Sequence, residues 1–402
     1  MKLKSLLFGS AAAVMAVTGA QAADLPVAEP VEYVRICDAF GAGFYYIPGT
    51  DTCLKVGGRV RVEAHYVNGD DQGDTFNEFT SRARGYVRLD ARTQTDFGLL
   101  RAYVSSSLQI GPSSFADNYD EGQYLENAFI QLSNDMGTLT VGHASSFFDF
   151  FGTYGYGTRI GIDDNTTEQT LFAYTFNVGN GVSATLSFED AASGGRRAHF
   201  DGVVIDGQEF PDVVANVRVD QGWGSAQIMG VLHDTGVDSV SDDLGLLDDD
   251  DSDLGWAIGA GVTAGIPGTG FEASVQANYT QGAVSYITAG VNSLILENTL
   301  SDVTIDEDGS LELTKAWNVR GGISADFATQ WTASLNASYT DIDYEALGDL
   351  DFYGITGNVA WTPVSGFLMG VEVAYNNVDW EFADEDSPDD IWGVMFRAQR
   401  TF

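Results

Sequence analysis

Basic residues, histidines, cysteines and long apolar runs are all scarce in this chain, and each scarcity narrows its class. Nineteen Lys+Arg stand against 58 Asp+Glu, a formal charge of −39. Nucleic acid is therefore not expected as a partner, because phosphate binding needs a basic surface. Beyond the first two dozen residues no apolar run reaches the ~18 residues that a membrane-crossing helix requires, which excludes a helix bundle in a bilayer. The four histidines, His65, His143, His199 and His233, are scattered, and neither His-x-x-x-His nor Gly-x-Ser-x-Gly occurs. No enzyme, metal site or cofactor is indicated. Gly259, Gly261 and Gly265 fall inside a strand pattern, so they are not a dinucleotide loop. What is present is 44% hydrophobic residues, 12% aromatics and 47 Gly over 402 residues. That is too apolar for a disordered chain and long enough for two ordinary domains or one large all-β unit.

The N-terminus carries Lys2 and Lys4, then the apolar LLFGSAAAVMAV, then Ala20-Gln21-Ala22 as a small-x-small cleavage site. This is the pattern of a secretory signal peptide, so residues 1–22 are expected to be removed. Losing its two lysines takes the formal charge from −39 to −41. Residues 23–53 form a lead-in that ends in CDAFGAGFYYIPGTDTC. In an exported chain, Cys37 and Cys53 closing a short loop read as one disulfide, since no other Cys competes.

From residue 54 to 402 the pattern is of period two. In KVGGRVRVEAHYV the even positions are Val56, Gly58, Val60, Val62, Ala64 and Tyr66, whereas Lys55, Arg59, Arg61, Glu63 and His65 take the odd ones. One face is dry and the other wet, as in a strand between two media. FTSRARGYVRLDARTQ repeats the alternation, with Arg82, Arg84, Arg88 and Arg92 on one face. Strand-like segments begin near 54, 79, 99, 122, 137, 170, 182, 212, 224, 254, 270, 314, 330, 352, 366 and 390. Short turns, most with Gly, join them in pairs; longer polar connections near 111–121, 144–169, 191–211, 235–253, 283–313, 345–351 and 382–389 separate the pairs. Short turns alternating with long acidic loops point to an up-and-down antiparallel barrel crossing a membrane. A sandwich would not gather all its short connections at one end. Aromatics at strand ends, among them Tyr66, Trp256, Tyr279, Trp317, Trp331, Tyr339, Trp361 and Trp392, fit interfacial girdles. A row of arginines on one strand needs a water-filled lumen or open solvent, and a barrel provides the lumen.

YVRICDAFGAGFYYIPGTDTCLKVGGRVR, PDVVANVRVDQGWGSAQIMGVLHD and the terminal FRAQRTF resemble the alphaproteobacterial (Rhizobiales-type) outer-membrane porins. The resemblance spans essentially the whole mature chain and is most specific across Cys37–Cys53. It implies an all-β fold, a sixteen-stranded antiparallel transmembrane β-barrel whose third long loop, residues 144–169, folds into the lumen. It also implies the outer membrane of a Gram-negative bacterium, a homotrimer, and passive diffusion of small hydrophilic solutes and ions. Outer-membrane lipid and lipopolysaccharide would surround the barrel, and the C-terminal Phe402 resembles the signal read by the barrel assembly machinery.

The candidate pore residues follow. Lys55, Arg59, Arg61, Arg82, Arg84, Arg88, Arg92 and Arg101 lie on the polar face of the first three strands, and adjacent strands are under ~5 Å apart, so they form one basic wall. By resemblance, Asp149, Asp163, Asp164 and Glu168 of the third loop narrow the passage, with Phe147, Phe148, Phe150 and Phe151 anchoring it. A basic wall facing an acidic loop makes a transverse field. Acidic runs at Asp242-Asp243, Asp248–Asp251 with Asp253, and Asp306–Asp308 are read as solvated loops, with divalent bridging to lipopolysaccharide as the other reading. A substrate-specific channel, or an outer-membrane enzyme or adhesin, is the alternative; no aromatic track for a specific solute is traced in the sequence. The acid excess at the mouth favours weak cation selectivity, whereas the arginine wall favours anions locally.

Overall fold

The computed structural model describes residues 35–68, 77–111, 120–157, 160–199, 208–236, 254–288, 300–305, 311–344, 348–380 and 390–402. The leader at 1–22, the start of the 23–53 lead-in, and the acidic runs at 242–253 and 306–308 lie outside the described residues. A short strand, β1 (Tyr45–Tyr46), precedes eleven long ones. These are β2 (Cys53–Val67), β3 (Phe79–Thr95), β4 (Gly98–Gly111), β5 (Asp120–Asn134), β6 (Gly137–Ser145) and β7 (Glu168–Gly179). They continue as β8 (Val182–Glu189), β9 (Asp212–Gln221), β10 (Gly224–Asp234), β11 (Leu254–Ile266) and β12 (Phe271–Gln281). A separate hairpin, β13 (Val303–Ile305) with β14 (Leu311–Leu313), sits in the next connection. Five long strands complete the set: β15 (Lys315–Ala328), β16 (Trp331–Tyr344), β17 (Gly348–Val364), β18 (Phe367–Trp380) and β19 (Asp390–Thr401).

Each long strand pairs antiparallel with the next, and β19 returns to β2 with Thr401 opposite Arg59 and Gly393 opposite Val67. The result is a closed barrel of sixteen strands, so no long strand has a free edge. Both ends of the barrel strand set, Cys53 and Phe402, lie at the end where the short turns are.

The barrel is inside out relative to a water-soluble protein. On β2, Val56 is 50% exposed and Val60 51%, while Glu63 is 1% exposed. Valines face outward because the medium there is lipid; carboxylates face inward because only the lumen can satisfy them. Outward aromatics pair across strands at both rims. At the long-loop end Trp256 meets Tyr279 at 5.5 Å, Trp317 meets Tyr339 at 5.1 Å and Tyr66 meets Trp392 at 5.8 Å. At the short-turn end Trp331 stacks on Trp361 at 6.0 Å. These are the two girdles that the strand ends predict.

One part of the interior is apolar. Met229, Val231, Ile342, Leu350, Phe352 and Val378 point inward near the long-loop end and are buried. They pack on Phe148 and on Val284, Tyr286 and Ile287 from the connection after β12. That connection, read in the sequence as a polar external loop, therefore has an apolar stretch that turns inward and builds a core inside the barrel.

Candidate pore constriction

The eight basic residues lie together on the inner face of β2–β4. Arg61 stands opposite Arg84, and Arg92 opposite Arg101. Like charges directly opposed destabilise a sheet, and three acids interrupt them. Glu63 is 2.6 Å from Arg82 and 2.5 Å from Arg397. Asp90 takes forked hydrogen bonds from Arg92 and Arg101, at 2.8 and 3.1 Å for the closer nitrogens. Glu126 lies 3.7 Å from Arg84. It faces the lumen because the β4–β5 register shifts between Ser105 and Ser106, a bulge that re-aims the side chain. The wall is thus an interleaved ladder, net positive but not a bare row.

Arg397 extends this wall and was missed in the sequence. It has the inward parity of Met395 and Gln399 on β19, and barrel closure brings β19 beside β2. Reading the last strand by parity, and not only for its apolar face, would have found it. Among the inward aromatics, Tyr86 and Tyr103 share the arginines' polar parity in the sequence, whereas Tyr124 and Phe129 were missed. Arg59 covers Tyr86 at 3.9 Å, Arg84 lies over Tyr124 at 5.2 Å, and Arg101 covers Tyr103 at 4.9 Å and Phe129 at 5.3 Å. Each guanidinium gains a cation–π partner that replaces water on one side.

The connection between β6 and β7 leaves the rim and runs along the inner faces of the strands from β8 round to β19. The Glu189 carboxylate of β8 accepts from the Phe147 N–H at 3.0 Å, and Asn216 of β9 donates to the Phe147 carbonyl at 2.6 Å. Further along, Gln276 of β12 accepts from the Phe151 N–H at 2.8 Å, and Arg320 of β15 donates to the Phe151 carbonyl at 2.6 Å. The Tyr154 N–H donates to Asn336 of β16 at 2.9 Å. The Tyr156 N–H donates to Glu372 of β18 at 2.6 Å, and Arg397 of β19 donates to the Tyr156 carbonyl at 3.0 Å. A loop inside a barrel must find partners for its backbone groups, and inward polar side chains from β8 to β19 supply them. Inward glycines make room. A Cβ on Gly261 would collide with the Phe150 ring, and one on Gly354 would come within 3.0 Å of the Gly161 carbonyl.

The four loop acids separate into two kinds. Asp149 is buried, 2.8 Å from Arg196, and accepts from the Thr167 N–H at 2.9 Å. Burial outweighs the arginine and raises its carboxyl to about 7. Asp163 is wholly enclosed by Thr288 at 2.8 Å, Thr340 at 2.5 Å and Asn318 at 3.0 Å, and burial raises its carboxyl to about 6. Asp164 and Glu168 keep partial exposure. Of the four anchoring phenylalanines, Phe148 sits in the inner core with Phe147 and Phe150 against it, and Phe151 is buried. Cys37 and Cys53 form a disulfide. Phe402 is an exposed terminal residue whose ring lies over Gly58.

A closed, inside-out β-barrel with a charged lumen defines the class: a membrane-spanning channel. The chain belongs to the Porin subfamily, whose family model matches residues 24–393. It is 33% identical over 430 aligned positions to Porin Omp2b of Brucella suis, covering all of both chains. Among solved structures, the outer membrane channel DcaP of Acinetobacter baumannii matches with a TM-score of 0.65 at 17% identity, over 89% of this chain and 99% of that one. OmpT of Vibrio cholerae in its trimer form matches with a TM-score of 0.51 at 10% identity, over 88% and 100%. The protein is an outer-membrane porin of a Gram-negative bacterium, as its sequence resemblance implies.

Proposed function

We propose that the pore is a water-filled passage for small hydrophilic solutes and ions, bounded by the basic wall of β2–β4 on one side and the 146–167 loop on the other. The observation carrying this is that loop's path: its backbone is hydrogen-bonded from β8 round to β19, whereas Arg84, Arg92 and Arg101 keep 18–25% of their side chains exposed. Lys55, Arg59, Arg61, Arg82 and Arg88 complete that side. Asp164 and Glu168, the acids with exposed surface, carry the negative side. Asp149 and Asp163 hold the loop in place. The transverse field then orders water and favours polar solutes over apolar ones.

The barrel works by passive diffusion without turnover, as a homotrimer like the trimer form of its Vibrio cholerae structural relative. Outer-membrane lipid and lipopolysaccharide surround the barrel, Phe402 is the assembly signal, and residues 1–22 are the removed leader. Reconstitution in a planar bilayer tests the channel reading. Ohmic, non-saturating conductance supports it; hydrolytic activity, or extraction without detergent, contradicts it. The arginine-backed Tyr86, Tyr103, Tyr124 and Phe129 favour a second reading, a channel with a preferred solute. Conductance that saturates with one solute class would select that reading.

A further inference from the structure

The disulfide loop takes no part in the throat described above, yet it touches the basic wall. β19 ends at Thr401, and the N–H and C=O of Phe402 just beyond it exchange hydrogen bonds with Gly58 at 3.0 and 2.9 Å. Residues 53–57 of β2 therefore run past the end of their neighbour. β1 fills that edge, with Tyr46 opposite Cys53 and Tyr45 opposite Leu54. The Cys37–Phe44 stretch lies elsewhere. Cys53 shares the inward parity of Lys55, Arg59 and Arg61, so the disulfide holds Cys37 on the lumen side. Phe44 comes with it, fixed by a hydrogen bond from the Cys37 N–H to its carbonyl at 3.0 Å. Its ring centre is 5.8 Å from the Lys55 ammonium and 4.9 Å from the Arg92 guanidinium. Phe44 is only 5% exposed, packed with both cysteines, Phe40 and Tyr46.

Two of the eight charges of the wall thus have an aromatic ring on one side, held there by a covalent link, while Lys55 stays exposed and Arg92 keeps 25% of its side chain exposed. A cation under a ring face loses water, and with it access to a passing anion, on that side. Asp38 and Asp51 are exposed on the same loop. An anion arriving from the short-turn mouth meets this loop beside Lys55 and Arg92.

We propose that the Cys37–Cys53 loop is a second filter, at the short-turn mouth, in which Phe44 covers one side of Lys55 and Arg92 against anions. It rests on the basic-wall assignment, since that cover matters only if the wall faces the pore.

The test is single-channel conductance and reversal potential of the full-length protein in a salt gradient. Phe44→Ala leaves both cysteines in place. It should shift the potential towards anions and raise conductance by roughly 1.2- to 2-fold, the scale of an unscreened pair of charges at a pore mouth. Phe44→Tyr should retain wild-type values, and Cys37→Ser/Cys53→Ser should reproduce the alanine variant. In a Lys55→Ser/Arg92→Ser background, Phe44→Ala should no longer move the potential; a shift of the same size there would reduce Phe44 to a steric plug and overturn its role as a cover. A wild-type potential for Phe44→Ala, with Arg82→Ser/Arg84→Ser/Arg88→Ser still shifted, overturns the filter and leaves the wall standing. No shift in either overturns both.

Discussion

The two halves of the barrel interior satisfy inward polar groups in different ways. On β2–β4 the partners are side chains of the wall itself, and several charges keep surface in the lumen. On β8–β19 the partners are backbone groups of an inserted loop, and the polar side chains are enclosed. Asp90 and Asp149 show the contrast. Both pair with arginine, but Asp90 sits between two arginines whose side chains are each 25% exposed, whereas Asp149 and Arg196 are sealed together. Solvated charge acts on the solute; enclosed charge holds the architecture.

The largest break in this contrast would be to unseat the loop. Gly261→Val with Gly354→Val puts side chains where Phe150 and the Gly161–Ile162 backbone lie. Overpacking here should release the loop, make the two halves alike, and raise single-channel conductance about two-fold.

Next comes Asp149→Asn. Arg196 then loses its ion-pair partner and keeps the Ser285 carbonyl and the Tyr286 ring, a loss of about 1–3 kcal/mol. The folded barrel should lose its heat resistance at a clearly lower temperature on a semi-native gel, with the pore's ion preference little changed.

A pH series sharpens the same point through Asp163. Its folded-state carboxyl is raised to about 6 by burial, so between the ordinary carboxylate range and that value the native state holds the extra proton. Stability from this group is present at low pH and lost as pH rises through about 6. Arg320 and Asp164 are the charged groups nearest in effect. Thermal stability of the wild type should fall from pH 4 to pH 7, and Asp163→Asn should flatten that fall. An equal slope in the variant would place the titration elsewhere.

The smallest effect on stability is expected for Asp90→Asn, about 1 kcal/mol or less because its partners are partly solvated. Its mark should be functional instead, a reversal potential moved towards anions as Arg92 and Arg101 lose their counter-charge. Asp149→Asn and Asp90→Asn thus form opposite pairs of stability and selectivity.

Period-two alternation made the strands legible: the sixteen starts read from sequence fall within four residues of those observed. Parity also placed all eight basic residues on one inner face. What stayed hidden depended on distant pairing. Arg397 joins Glu63 only because the barrel closes, 334 positions apart in sequence. Glu126 turns inward through a bulge that no local pattern marks. Val284–Ile287 looked like loop because their partners, Phe148 and Ile342, come from a different connection and a different strand. Phe44 carried no signal in the sequence, because its contact with Arg92 exists only once the Cys37–Cys53 disulfide folds the loop against β2.

The central claim is that the arginines of β2–β4 face the throat. The most direct test is the reversal potential of Arg82→Ser/Arg84→Ser/Arg88→Ser against wild type in a salt gradient across a planar bilayer. A shift towards cations on the order of 10 mV is predicted, because three positive charges leave a confined, weakly screened passage. An unchanged potential in a folded, conducting variant would contradict the account.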